Sequence, residues 1–274
     1  SRTLGRESLL PLLVVVVLLT LALGLPVYGR HRSSTSQTVA FAGLGTAMAV
    51  GIYLHPAGLV LMLMALMFIV YYMAYGRPRL TDSLRRTIGF TVLLTLIFIV
   101  PYLLSAGNNP ELSGAVRLFS GLRTDSTPLL ERAVTALIGL GLSGDVNPVY
   151  NLPGRPYVDP VSALLILAGV AVALRYSRRR LRYTLLAFAM VILGPLALLA
   201  PNGPSWPAAV VVAPITALSF GLGVSAFARL ARSQKAAAAL LFVLLAYNGY
   251  STAYDMFVRW PELQDVRQAY ASRV

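Results

Sequence analysis

The chain has 274 residues, 57% of them hydrophobic and only 12% charged, against about 25% charged in a soluble domain, so water is not the main solvent for its surface. With no cysteine, disulfides, thiolate nucleophiles and cysteine metal sites are excluded, and His31 and His55 are too far apart in sequence to form a helical ligand pair, so no metal is expected. The formal net charge of +13 raises nucleic acid as a partner, but its distribution along the chain points to membrane topology instead.

A membrane-crossing helix needs roughly 20 mostly apolar residues. In chain order the candidates are 9–28, 38–54, 57–75, 87–105, 160–175, 183–200, 208–228 and 236–251, of which the second, fifth and eighth are short. The expected fold is an all-α integral membrane protein of about eight transmembrane helices, with extracytoplasmic interfacial helices. The chain reads as a single transmembrane domain over 1–274. It is interrupted by an extracytoplasmic loop over 105–160 and ends in an extracytoplasmic tail over 252–274.

The second and third candidates are separated by little more than His55-Pro56. Proline cannot continue a hydrogen-bonded helix interior, so a tight hairpin is expected there; a single bent span is the alternative. Within 38–54, Gly43, Ala47 and Gly51 recur every four residues, a small-residue row that lets helices approach closely.

After the fourth candidate comes the long polar stretch. Residues 110–123 and 127–142 are compatible with helices, and Pro128 suits a first helical turn. Leu129, Leu130, Val134, Leu137, Ile138 and Leu142 fit a helix on the membrane surface or one that dips into it. Residues 144–160 hold four prolines, two glycines, two asparagines and two aspartates. Such residues specify an ordered chain of turns, read either as a structural cap on the helices or as the wall of a polar site.

Charge tests the parity of these crossings. Four successive loops on one side carry Arg30 and Arg32; Arg77, Arg79, Arg85 and Arg86; Arg175, Arg178, Arg179, Arg180 and Arg182; and Arg229, Arg232 and Lys235, with Asp82 as the only acid. On the other side, Arg2, Arg6, Arg117, Arg123, Arg132, Arg155, Arg259, Arg267 and Arg273 are balanced by Glu7, Glu111, Asp125, Glu131, Asp145, Asp159, Asp255, Glu262 and Asp265. The whole net charge falls on one face, as the positive-inside bias requires. The expected location is the plasma (inner) membrane, with both chain ends extracytoplasmic and the arginine-rich loops cytoplasmic. Membrane lipids are then partners and nucleic acid is not. Apart from Arg175 at the very end of the fifth, no charge lies inside a candidate span, which lowers the case for an ion-coupled transporter.

Several segments together resemble a known family. Gly144-Asp-Val-Asn-Pro, Asn151-Leu-Pro-Gly-Arg-Pro, Asp159-Pro160 and Leu164-Leu-Ile-Leu-Ala-Gly169 are similar to a stretch of bacterial glycosyltransferase family 39. That family groups protein mannosyltransferases using dolichyl-phosphate mannose with aminoarabinose transferases of GT-C fold. Ser1-Arg2, Gly5-Arg6 and Leu10-Pro11, Gly51-Ile-Tyr53-Leu-His55-Pro-Ala57, and Tyr254-Asp-Met-Phe257-Val-Arg-Trp260 resemble further segments of its C-terminal two-thirds. The resemblance implies a GT-C-like scaffold and transfer of a sugar from a polyprenyl-phosphate donor to an extracytoplasmic acceptor, with no other cofactor.

In the family the catalytic acid lies in the first extracytoplasmic loop. This chain is expected to start after that loop, with the N-terminal catalytic part missing, and none of its acids matches the motif. The loop Pro201-Asn-Gly-Pro-Ser-Trp206-Pro lacks the His and Arg common there. Arg2, Arg6 and His55 are the candidate donor-phosphate ligands. Arginine suits phosphate through its planar donor set, and Arg2 and Arg6 share a helical face; headgroup anchoring and a turn histidine are the plainer readings. Asp145, Asn147, Asn151, Arg155 and Asp159 are the candidate site loop, with local capping the main alternative for the aspartates. The competing function is a non-catalytic subunit of a larger membrane complex, with other membrane proteins as partners.

Overall fold

A computed structural model describes residues 9–25, 33–54, 57–75, 82–108, 129–144, 152–177, 180–198 and 206–264. Among them the regular structure is entirely helical: α1 (Leu9–Gly24), α2 (Ser34–Leu54), α3 (Ala57–Tyr75), α4 (Asp82–Asn108), α5 (Leu129–Gly141), α6 (Pro160–Ser177), α7 (Leu181–Leu198), α8 (Trp206–Leu230) and α9 (Gln234–Tyr254). A π-helical turn, Asp255–Arg259, and a 3-10 turn, Trp260–Glu262, follow α9. The expected helix over 110–123 lies outside the described residues.

Every expected crossing falls on a helix. Six are long and apolar enough to cross a membrane: Ser34–Leu54, Gly58–Tyr75, Leu84–Tyr102, Pro160–Ser177, Val212–Leu230 and Gln234–Glu262. The other two, Leu9–Gly24 and Leu181–Gly194, are shorter apolar helices. Helices suit this composition because each closes its own backbone hydrogen bonds, which hydrocarbon cannot do.

The described residues form two compact units. One draws on 1–126, 173–196 and 210–215; the other on 127–172, 197–209 and 216–274. In the first, α2 packs against α1, α3 and α4. Leu10, Val14, Val17, Leu18 and Leu21 of α1 are buried along one stripe, spaced as the helical period requires. Lipid tails are as apolar as leucine, so close packing rather than escape from water must hold such helices together.

The small-residue row provides that packing. Gly43 faces Thr20, Gly51 faces Leu13, and a Cβ on Gly58 would fall on the Gly51 carbonyl. Residues seven apart in one continuous helix would be separated by about 10 Å of rise. The Gly51–Gly58 approach therefore means that the chain reverses between α2 and α3, as the hairpin reading expects.

Hydroxyl groups add bonds between helices. Thr91 Oγ1 donates to the Phe41 carbonyl at 3.1 Å and Tyr53 Oη to the Phe98 carbonyl at 2.9 Å. The second bond lies one turn before Pro101, a residue inside α4 that has no N–H to offer the neighbouring Ile97 carbonyl. Phe188 of α7 meets Phe68 and Tyr71 of α3 edge-on or tilted, at 5.6 and 5.1 Å between ring centres.

In the second unit, α6 and α8 approach through backbone. A Cβ on Gly169 would meet the Ser219 carbonyl, and one on Gly223 the Leu165 carbonyl. The α8–α9 turn closes with Arg232 at φ 50° and Ser233 as the N-cap of α9, its hydroxyl accepting from Ala236 N–H at 3.1 Å.

Candidate functional site

The turn-rich loop of the second unit builds a polar cleft from the backbone upward. Gly144 N–H donates to the Gly154 carbonyl at 3.1 Å, and Arg155 N–H to the Leu152 carbonyl at 3.1 Å. Gly154 takes φ 75°, which L side chains rarely adopt. A Cβ on Gly144 would strike the Arg155 carbonyl, so only glycine fits there. Tyr157 N–H and Val158 N–H then donate to the carbonyls of Gly139 and Leu140 in the last turn of α5, at 3.2 and 3.0 Å.

Asp159 closes the loop and opens α6. Its Oδ1 accepts from Val161 and Ser162 N–H at 3.0 and 2.9 Å, an N-cap with Pro160 in the first helical position. Its Oδ2 accepts from Asn248 Nδ2 of α9 at 2.6 Å. Partial burial pushes the Asp159 carboxyl up, but the hydrogen bonds from the Ser162 side chain, Asn248 and the two backbone N–H groups outweigh it and hold the group below its ordinary value.

Across the cleft, the π-helical turn after α9 presents Asp255. Its side chain is nearly buried and accepts Arg155 Nε at 3.2 Å and an Arg259 guanidinium N–H at 3.3 Å. Arg155 also donates to Thr252 Oγ1 at 2.9 Å. A π turn widens the helix by one residue and re-aims the side chains that follow; Trp260 N–H bonds back to the Asp255 carbonyl. The resulting cleft has a volume of about 400 Å³ and is walled by the 152–160 loop on one side and by Tyr247, Asn248, Ser251, Thr252, Asp255 and Arg259 on the other.

Of the residues expected from sequence, the structure brings Arg155 and Asp159 together in this cleft. Arg2, Arg6, His55, Asp145, Asn147 and Asn151 lie outside the described residues. Asn248, Thr252, Asp255 and Arg259 were not expected as site residues. Their signal is a polar stripe: Asn248, Ser251, Thr252 and Asp255 are spaced by three and four, one helical face at the end of the last apolar segment. The candidate span stopped at residue 251, and so cut that stripe in half.

Chemically, the cleft can bind but has no idle base among its lining residues. Both carboxylates are engaged on both oxygens, Asp159 by helix capping and Asn248, Asp255 by two guanidinium groups. Two cations and two anions balance. Arg259, with 60% of its side chain exposed, and the hydroxyls of Ser251 and Thr252 are the groups best placed to meet a ligand. Among the described residues no group of His, Asp and Glu side chains is arranged to hold a metal. In comparisons with known proteins, no family model matches this chain, and neither a curated protein nor a solved structure does.

Proposed function

We propose that this chain is a glycosyltransferase-like membrane protein of the polyprenyl-phosphate-sugar class, built on a GT-C-like scaffold in the plasma membrane, whose polar cleft receives part of an extracytoplasmic substrate. The observation that supports this most is a coincidence of place. The segment 144–169 that carries the family resemblance is the one whose turns wall the cleft, at the start of one apolar helix and the end of another. Donor phosphate would be met by Arg2, Arg6 and His55, and the polar head of the donor or acceptor by the Arg155–Asp159 loop. Proton abstraction from the acceptor hydroxyl needs a carboxylate with a free oxygen, which this reading draws from outside the cleft.

The test is incorporation of labelled sugar from polyprenyl-phosphate donors by membranes carrying the intact gene. Incorporation is expected, with a loss of roughly tenfold or more in an Arg2→Ala/Arg6→Ala double variant, as for removal of charge-assisted phosphate contacts. Absence of incorporation across several donors removes the enzyme reading. A second reading, a non-catalytic subunit of a membrane complex, is favoured by the engagement of both cleft carboxylates in structural contacts. It predicts stoichiometric copurification with other membrane proteins and no transfer.

A further inference from the structure

Helix α5 is the most one-sided of the described helices; the long spans are apolar nearly all round. Its Leu130, Val134, Leu137 and Ile138, with Leu142 in the turn just after it, recur at helical spacing and are 42–77% exposed. Gly139 lies on the opposite side and is buried, and the stripe itself ends in a buried glycine, Gly141. A Cβ on Gly141 would lie 2.6 Å from Ala163 Cβ and 3.5 Å from Pro160 Cα, so the last turn of α5 sits against the first turn of α6. The final carbonyls of a helix have no partner within it. Those of Gly139 and Leu140 are taken by Tyr157 and Val158 N–H, in the wall of the cleft.

We infer that α5 lies in the membrane–water interface, its leucine-rich stripe against the acyl chains, and that this seating holds the 152–159 wall of the cleft in place. The occupant of the stripe is the bilayer for three reasons. At 13 residues the helix is about 20 Å long, too short to cross a hydrocarbon core of about 30 Å. Its end is bonded beside the first turn of α6, a helix long and apolar enough to span, so it stands at the depth where a span begins. The stripe holds only leucine, isoleucine and valine, without the aromatic and arginine anchors that dominate protein–protein contacts; a one-sided apolar helix of this kind is the form that settles in lipid headgroups. The inference is independent of the transfer reading, because it concerns what holds the cleft and not what the cleft takes.

The natural chain has no cysteine, so single substitutions report one position each. Leu130→Cys, Val134→Cys and Leu137→Cys carry an environment-sensitive fluorophore in the full chain, reconstituted in phosphatidylcholine vesicles. The three positions are expected to be quenched by bromine on the acyl chains and shielded from iodide. In Leu137→Glu, hydrogen exchange at the Tyr157 and Val158 amides is expected to rise roughly tenfold, as for loss of a bond of ordinary strength, with the α2 amides unchanged. Stripe probes open to iodide overturn the inference. So do probes protected from both quenchers, which would mean a covering protein surface such as a second copy, and displacement of α5 without faster exchange. If Leu137→Glu does not fold, Leu137→Ser supplies the exchange comparison.

Discussion

In the unit built on α1 to α4, the polar groups buried between helices bond to backbone; in the unit that holds α5, α9 and the cleft, charged side chains bond to one another as well. Thr91 and Tyr53 donate to carbonyls of neighbouring helices, and Thr20 and Thr95 to carbonyls of their own. Arg155, Thr252, Asp255 and Arg259 instead form a chain of side-chain contacts, and Asp159 and Asn248 a second pair. The difference follows from depth along the helices. Inside an apolar span an ion is costly and a hydroxyl that bonds backbone is cheap. At a span's end a charge can be met by an opposite charge close to water, while its geometry is fixed by the helices beneath it. The first pattern makes a rigid scaffold and the second makes a place where a ligand can be met.

The sharpest way to break this comparison is to disturb backbone approach in each unit. Gly58→Ala places a methyl group on the Gly51 carbonyl and is expected to destabilise by about 3 kcal/mol or to prevent folding, the upper range for overpacking. Gly144→Ala, which meets the Arg155 carbonyl, is expected to alter the cleft while the α1–α4 unit keeps its stability. Unfolding midpoints in detergent, followed with probes in each unit, would check both. Equal losses in both probes for Gly144→Ala would show that the two units do not unfold separately.

A smaller effect is expected from Asp255→Ala, which leaves the largely buried Arg155 without its carboxylate. A loss of about 2 kcal/mol is expected, below the cost of stripping a fully buried pair because the site is partly wet. Asp255→Asn should lose less, since Asn still accepts a hydrogen bond. Thr91→Val, which removes only a hydroxyl-to-carbonyl bond within an apolar span, should cost about 0.6 kcal/mol. If Thr91→Val proves as damaging as Asp255→Ala, the contrast between the two kinds of polar group fails.

The smallest expected effect is a pH dependence. The Asp159 carboxyl is held below its ordinary value of 3.8. Its contribution to stability is therefore fully present above that value and is lost as pH falls through the depressed folded-state value. An acid titration of unfolding should show this component in the natural chain and lack it in Asp159→Asn. A component that instead appears on raising the pH from neutrality would contradict the hydrogen-bonding assignment.

Much of the scaffold was legible before the structure. The eight apolar segments, the reversal between α2 and α3 and the role of Gly43 and Gly51 follow from local rules: hydrocarbon demands helices, proline ends them, and small residues admit neighbours. The 127–142 segment was readable as a helix because its apolar residues recur at 3.6. The cleft was half legible. Arg155 and Asp159 stood out in a loop dense in turn residues, whereas Asn248, Thr252 and Asp255 were hidden by a span boundary drawn on hydropathy alone, which stops where polar residues begin even when the helix continues.

The amino-acid order by itself determined which segments are helical and apolar, because each such property depends on neighbours within a turn or two. Which distant groups meet was decided only by tertiary packing. That Arg155 finds Asp255 one hundred positions later depends on the 152–159 loop lying against the end of α9, and that Asp159 finds Asn248 depends on the start of α6 lying beside the same helix. Neither arrangement is a property of any window of the sequence.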